Sequence, residues 1–390
     1  MIKKNTFESK GIKLYRHKTN ENIGITTTAG KFEIKRTILN NRENRINIAP
    51  LDEYLRIEGL PYKTSKKMMS KVSYYAQNQG SFEEASKLFR EEIGIPLGSS
   101  LIREIAEGVG KRVFEKVTAE AKNAFDNMHK IPITPEIEKR DTTLYILTDG
   151  GAVNTRIEDK DGSTWREAKL VLAFTDKDMI KRKNERHIIM KKEYGAYIGS
   201  VEEFKKHMLY VALKAGYGSI KRVVIISDGA TWIRNACEEI FPDALQILDK
   251  FHLEENIFKY AKHKFGENEI AYTKWAKNIM KKIEDGDVTK ALRILKKENY
   301  ENLPKTVPNI LGYIQNNLNK INYPAYKEAG YFVGSGAIES GIKVVLQRRL
   351  KQSGMRWSVE GAQYIFTLRS KASSNLWGEV NDVIETIDAA

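Results

Sequence analysis

Polar and apolar residues alternate along Lys31-Phe-Glu-Ile-Lys-Arg-Thr-Ile38, the period of a half-buried strand with one charged face. Shorter strand-like runs precede it at Ile12–Tyr15 and Gly24–Thr27, separated by Asn-rich turns. From Tyr62 to Lys130 the period becomes helical. Ser81-Phe-Glu-Glu84 is a capping box, and Phe82, Ala85, Leu88 and Phe89 behind it share one helix face. Gly94–Ser100 breaks this helix, and Leu101, Ile102, Ile105 and Val109 begin another. Helix, Gly-containing turn, helix is a helix-turn-helix-like layout, although any small helical bundle gives the same pattern.

Pro132, Pro135 and the charged stretch Glu136–Asp141 predict a linker. Beyond it the pattern predicts strands at Leu144–Leu147, Ala168–Phe174 and His187–Tyr194, then helix Val201–Ala215, strand Val223–Ile226, helix Trp232–Ile240 and strand Leu245–Leu248. Three successive strands favour antiparallel neighbours, and the later strand-helix alternation favours parallel ones. A mixed five-stranded sheet of this kind, flanked by helices, is the ribonuclease H-like architecture of the α/β class. Residues 254–330 are Lys/Glu-rich and helical in period, with no strand pattern, and are expected to form a helical insertion.

The expected division is therefore a basic β-rich segment (1–60), a helical DNA-binding module (61–135) and a first catalytic part (140–253). The insertion (254–330), a final core helix with a basic segment (331–377) and a C-terminal tail (378–390) complete it. A length of 390 residues and a 41% hydrophobic content agree with roughly two to three domains and a sizeable core.

Charge sharpens this picture. The formal net charge is +14. Residues 1–50 hold eleven Lys/Arg against four Glu, and residues 341–371 hold seven against Glu360 alone, so nearly all of the excess sits on two flanks. Such flanks favour a polyanionic partner, nucleic acid above all. Arg103, Lys111 and Arg112 are the expected contacts of the helical module. The single Cys237, in a helical pattern, excludes a disulfide framework and a Cys-based zinc cluster, and is expected in the core. No run approaches ~18 apolar residues and the N-terminus lacks a signal-peptide pattern, so a cytoplasmic, nucleoid-associated protein without membrane contact is expected.

Three segments carry the chemistry. Leu144-Tyr-Ile-Leu-Thr-Asp149-Gly-Gly and Val223-Val-Ile-Ile-Ser-Asp228-Gly-Ala each end an apolar strand in an Asp, and Gly334-Ser-Gly-Ala-Ile-Glu339-Ser-Gly puts a Glu near a helix start. Mg²⁺ takes hard carboxylate oxygens and keeps sites for water and phosphate, so a phosphoryl-transfer centre needs few ligands, acidic and close together. Two ions, with Mn²⁺ as a substitute for Mg²⁺, would activate the attacking oxygen and stabilise the leaving one. Gly150, Gly151, Gly229, Gly334 and Gly336 are expected to leave room for a phosphate backbone. Each Asp-Gly alone is also an ordinary turn. Asp249 and His252, at the end of the following strand, are candidates to face the same site. After Glu339, the cluster Arg348, Arg349, Lys351 and Arg356 is expected to grip phosphates, with Trp357 either stacking on a base or packing in the core.

Five motifs carry a family resemblance: Thr148-Asp-Gly-Gly-Ala-Val-Asn-Thr-Arg156, Ser227-Asp-Gly-Ala-Thr-Trp-Ile-Arg-Asn235, Leu248-Asp-Lys-Phe-His-Leu253, Gly334-Ser-Gly-Ala-Ile-Glu-Ser340 and Gly354-Met-Arg-Trp-Ser358. With them the chain resembles, from about Lys31 to Trp377, the ISLre-type insertion-sequence transposases related to the Mutator-like group. The resemblance implies a ribonuclease H-like domain with a DDE triad, here Asp149, Asp228 and Glu339, and an accessory Asp-x-x-His pair, here Asp249 and His252. The implied activity is Mg²⁺-dependent cleavage of double-stranded DNA at terminal inverted repeats, then strand transfer into target DNA by a homo-oligomer. Two rivals are a structure-selective nuclease or resolvase of the same fold and a non-catalytic DNA-binding relic.

Overall fold

The structure is a computed structural model and describes residues 6–9, 12–55, 57, 61–130, 135–181 and 187–387. It divides into two compact units. Unit 1 comprises Met1–Val117, Thr155–Ile157 and Arg348–Ala390, and unit 2 comprises Thr118–Asn154 and Glu158–Gln347.

Unit 1 opens with an antiparallel sheet in the order β1 (Thr6–Ser9), β2 (Ile12–Thr27), β3 (Gly30–Asn41), β4 (Ile46–Ile48). The runs Ile12–Tyr15 and Gly24–Thr27 lie in one strand, because the Asn-rich stretch between them is absorbed as irregular pairing around the left-handed Asn20 (φ 58) and not as a turn. Helices α1 (Pro50–Tyr54), α2 (Lys66–Asn78), α3 (Phe82–Glu91) and α4 (Ser99–Asp126) follow. Ser81 accepts from the Glu84 amide at 3.0 Å and the Glu84 carboxylate accepts from the Gly80 amide at 2.9 Å, so the capping signal operates as expected. The seven residues Glu92–Gly98 separate α3 from α4, longer than the ~3–4-residue turn of a helix-turn-helix. The 28-residue α4 then outruns the short second helix of such a module. The unit boundary falls inside α4, after Val117.

Unit 2 is built on five strands: β5 (Arg140–Asn154), β6 (Trp165–Thr175), β9 (Glu193–Ile198), β10 (Ile220–Ser227) and β11 (Leu245–Leu248), in the order β11-β10-β5-β6-β9. A separate two-stranded ribbon pairs β7 (Met179–Lys181) with β8 (His187–Ile189). β5 runs parallel to β10, and β10 to β11, whereas β5–β6 and β6–β9 are antiparallel. The expected third strand, His187–Tyr194, is divided: its first residues belong to the ribbon and the sheet strand begins at Glu193, beyond Lys191-Lys192. The expected linker at Pro132 lies outside the described residues, and Arg140–Asp141 already belong to β5.

Residues 142–148 of β5 are all buried, as a central strand covered on both faces requires. On one face Leu144, Ile146 and Ile225 pack with Phe204, Met208 and Leu209 of α5 (Val201–Lys214) and Ile233, Ala236, Cys237 and Ile240 of α6 (Thr231–Ile240). Between β11 and the last helix of the unit come α7 (Lys250–Phe265), α8 (Glu269–Glu284), α9 (Val288–Leu295), α10 (Ile310–Gln315) and α11 (Tyr323–Glu328), without a strand. α12 (Gly336–Gly341) then covers the opposite face of β5 and β6 and leads into a π-helical turn, Ile342–Gln347.

Unit 1 is completed by α13 (Arg348–Leu350), α14 (Val359–Ser373) and α15 (Trp377–Glu385). The expected segment 331–377 is thus split after Gln347, and the expected tail is a helix. Buried Arg349 and Arg369 clamp the end of α2, donating to the carbonyls of Ala76 (3.0 Å) and Gln77 (2.5 Å). The Trp377 indole donates to Ser70 at 3.0 Å.

Candidate active site

The site is set by strand register. Ile226 of β10 pairs with Leu147 of β5, and Asp228 and Asp149 lie two residues beyond each. Alternation places both acids on the face of Ile226 and Leu147, opposite the α5/α6 core. Glycine serves this face by packing: a side-chain carbon on Gly151 would collide with Leu346 of the π-helical turn, and one on Gly229 (φ +81) would meet Leu248 at 2.7 Å. Of the five glycines expected to admit phosphate, these two therefore admit neighbouring side chains, whereas Gly334 and Gly336 face open space. Tyr313 of α10 donates to the Asp228 carbonyl at 2.5 Å, and Tyr323 of α11 to the Leu248 carbonyl at 3.1 Å, so the helical insertion props both strand ends.

Asp249 follows β11 directly and is the N-cap of α7, accepting from the amides of Phe251 (3.1 Å) and His252 (3.2 Å). The three-residue spacing puts His252 at N3, from where its ring turns back and Nδ1 reaches Asp249 Oδ2 at 2.5 Å. Asp249 thus caps the helix and holds its N3 side chain, while its own amide donates to the Ser227 carbonyl at 2.7 Å. Ser335 closes the arrangement: its amide donates to Asp249 Oδ1 at 2.9 Å, and its hydroxyl lies 2.7 Å from Asp249 Oδ2 and 2.7 Å from Glu339 Oε1. One hydroxyl proton serves one carboxylate at a time, and Ser335 ties the position of Glu339 to that of Asp249. Neither Ser335 nor Tyr313 stood out in the sequence; Ser335 sits inside the Gly334–Ser340 motif, whereas Tyr313 carries no local signal.

The ionisable groups of the site shift one another. Burial lifts the Asp149 carboxyl above the usual range; Asp228 and Glu339 add to this, against the Gly150 amide (2.7 Å) and His252. The Asp249 hydrogen bond raises the His252 imidazolium to about 9, against burial and with help from Asp228 and Asp149. Burial opposes ionisation of Asp249, yet the bonds from His252 and Ser335 hold its carboxyl below the ordinary range.

Ligand atoms of Asp249, His252 and Glu339 all lie within 4.8 Å of one another. The donor set nevertheless argues against Asp249 as a metal ligand: it is wholly buried and both its oxygens are saturated by protein donors. Asp149 and Asp228 differ, each using only Oδ1 on a backbone amide, of Gly150 and Ala230. Their open carboxylate oxygens suit a hard divalent cation, as does half-buried Glu339, which Ser335 positions; the ligand atoms within 4.8 Å of one another among the described residues are those of Asp249, His252 and Glu339 and include neither Asp149 nor Asp228.

The remaining expected residues lie in unit 1. Lys111, Arg112, Arg348, Lys351 and Arg356 are exposed and Arg103 is half-buried. Arg349 and Trp357 are not surface groups: they are 1% and 5% exposed, and the guanidinium sits 4.8 Å from the Trp357 ring and 4.5 Å from that of Phe82. Aromatic faces solvate this buried cation, so Trp357 packs in the core and offers no face to a base.

The molecule is a mixed α/β protein in which one five-stranded sheet, a capping Asp-His pair and a short Glu-bearing helix gather five ionisable side chains on one sheet face. It belongs to the uncharacterised protein family UPF0236, which matches residues 2–383. No curated protein matches the chain. Among the described residues no helix is long and apolar enough to cross a membrane.

Proposed function

We propose that the protein is a DNA transposase whose catalytic centre is the set Asp149, Asp228 and Glu339. The observation that carries this reading is the register of β5 and β10, which brings two strand-end aspartates side by side on the face covered by the helix bearing Glu339. The order β11-β10-β5-β6-β9, with the first strand central, β5, β6 and β9 mutually antiparallel and β10 and β11 added in parallel, supports the ribonuclease H-like reading. The five sequence motifs add the resemblance to insertion-sequence transposases.

Asp149, Asp228 and Glu339 would hold Mg²⁺, or Mn²⁺ in its place. Bound there, divalent ions supply an activated water or 3′-hydroxyl and stabilise the leaving oxygen. The chain's own residues do the rest. Asp249 fixes His252 and Ser335, Ser335 orients Glu339, and the His252 imidazolium offsets carboxylate repulsion and offers Nε2–H to a phosphate oxygen. The substrate in this reading is double-stranded DNA, the terminal inverted repeats and a target, engaged by a homo-oligomer with its basic surface.

The test is oligonucleotide cleavage and joining. Asp149→Ala and Glu339→Gln should abolish Mg²⁺-dependent strand cleavage and leave DNA binding nearly unchanged; cleavage retained by either variant overturns the triad. Cleavage without joined products would reassign the protein as a nuclease or resolvase, and DNA binding without metal-dependent cleavage as a binding relic.

A further inference from the structure

Unit 1 holds a cavity of about 450 Å³ whose wall is dominated by guanidinium groups: Arg103 of α4, Arg156, Arg349 of α13 and Arg356. Glu83 and Glu107 line it as well, leaving an excess of two positive charges. Arg349 is fixed by its Nε donation to the Ala76 carbonyl and by the two aromatic rings that flank it, yet among the described residues its Nη2 has no hydrogen-bond partner. Trp357, on the same wall, has a buried indole Nε1–H that also lacks an acceptor among them. Arg103, Arg156 and Arg356 make no ion pair or side-chain hydrogen bond among the described residues.

Buried polar groups in native proteins nearly always find partners, and an orphaned cationic donor is the costliest exception. Both orphans here are donors, so the missing partner is an acceptor. Positive excess makes it an anion, and the planar forks of several arginines match the oxygens of a phosphoryl group. Backbone geometry holds the wall together without any ligand: the Arg156 amide donates to the Trp357 carbonyl at 2.8 Å, which ties the segment Thr155–Ile157 beside the Gly354–Ser358 motif.

We propose that this cavity is a phosphate socket, in which Arg349 and Trp357 form the floor and Arg103, Arg156 and Arg356 the rim. The phosphoryl group comes either from a nucleic-acid strand or from a small free phosphate. Only the choice between these sources rests on the transposase reading; the socket itself does not, and none of the three acids lines it.

The experiment is titration of the full-length protein with inorganic phosphate, and separately with a DNA duplex, against chloride at equal ionic strength, followed by calorimetry and tryptophan fluorescence. Saturable phosphate binding is expected, with a fluorescence change that disappears in Trp357→Phe. Arg156→Gln and Arg103→Gln, at solvent-accessible positions where folding is not at stake, should each weaken it about tenfold, the effect of one charge-assisted hydrogen bond. If the same variants weaken duplex binding, the phosphate is that of a strand; if duplex binding is unchanged, it is a free phosphate. Absence of saturable phosphate and duplex binding in the wild type, or binding indifferent to both substitutions, overturns the proposal. Neither result depends on strand cleavage, so the socket and the catalytic triad can fail separately.

Discussion

His252 Nδ1 lies 2.5 Å from Asp249 Oδ2, and the carboxylate it meets is completely buried. The raised imidazolium, from 6.5 to about 9, fixes the sign of the pH dependence. The contribution of the pair is whole below the unfolded pKa of His and is lost as pH rises through about 9. On the acid side Asp249, held below 3.8, keeps its contribution until pH falls through its lowered folded pKa. NMR titration of the metal-free protein should find His252 still protonated at neutral pH, and Asp249→Asn should return it towards its ordinary range while costing about 2–4 kcal/mol of stability. A wild-type His252 that titrates normally would contradict the pairing.

Ser335 holds two carboxylates with one side chain. Replacing it with Ala removes the hydroxyl from a buried Asp249 oxygen and releases Glu339, and should destabilise unit 2 by about 1–3 kcal/mol in urea unfolding. The same change should lower cleavage less than Glu339→Gln does, because it loosens a positioned acid without deleting it. Equal losses would place Ser335 in direct contact with the reacting groups.

Gly229 follows Asp228 in a left-handed conformation (φ +81), with Leu248 where a side chain would start. Gly229→Ala therefore combines backbone strain with overpacking, and should cost about 2–4 kcal/mol. Gly334→Ala, which meets open space, should cost far less. Comparable midpoints for the two variants in denaturant would refute this difference.

Cys237 is buried between α6 and the sheet, where desolvation pushes its thiol up to about 12. It should resist aromatic disulfide reagents in the native protein and react fully once unfolded. Rapid native labelling would show α6 opening locally.

The central strands were legible because a covered sheet needs continuous apolar runs, which Leu144–Leu147, Val223–Ile226 and Leu245–Leu248 supply. The third strand was misplaced because the apolar Ile188-Ile189 run belongs to a ribbon closed by the Met190 amide on the Asp178 carbonyl, a contact that no periodicity encodes. In the candidate site, the placement of Asp149 and Asp228 followed from strand ends and register. Tyr313 escaped notice since it reaches Asp228 from 85 residues away. Charge alone marks Arg349 as a phosphate contact, and aromaticity leaves Trp357 open between base stacking and core packing. A sequence does not announce that a cation is buried between two rings.

Unit 1 is assembled from segments at opposite ends of the chain, with Thr155–Ile157 contributed between them. During synthesis its first 117 residues must wait, with α2 lacking the arginine clamps, until residues 348–390 have left the ribosome. All of unit 2 is available by Gln347. A chain truncated before Arg348 would therefore hold all segments of unit 2, with its acidic site, but not those that complete unit 1.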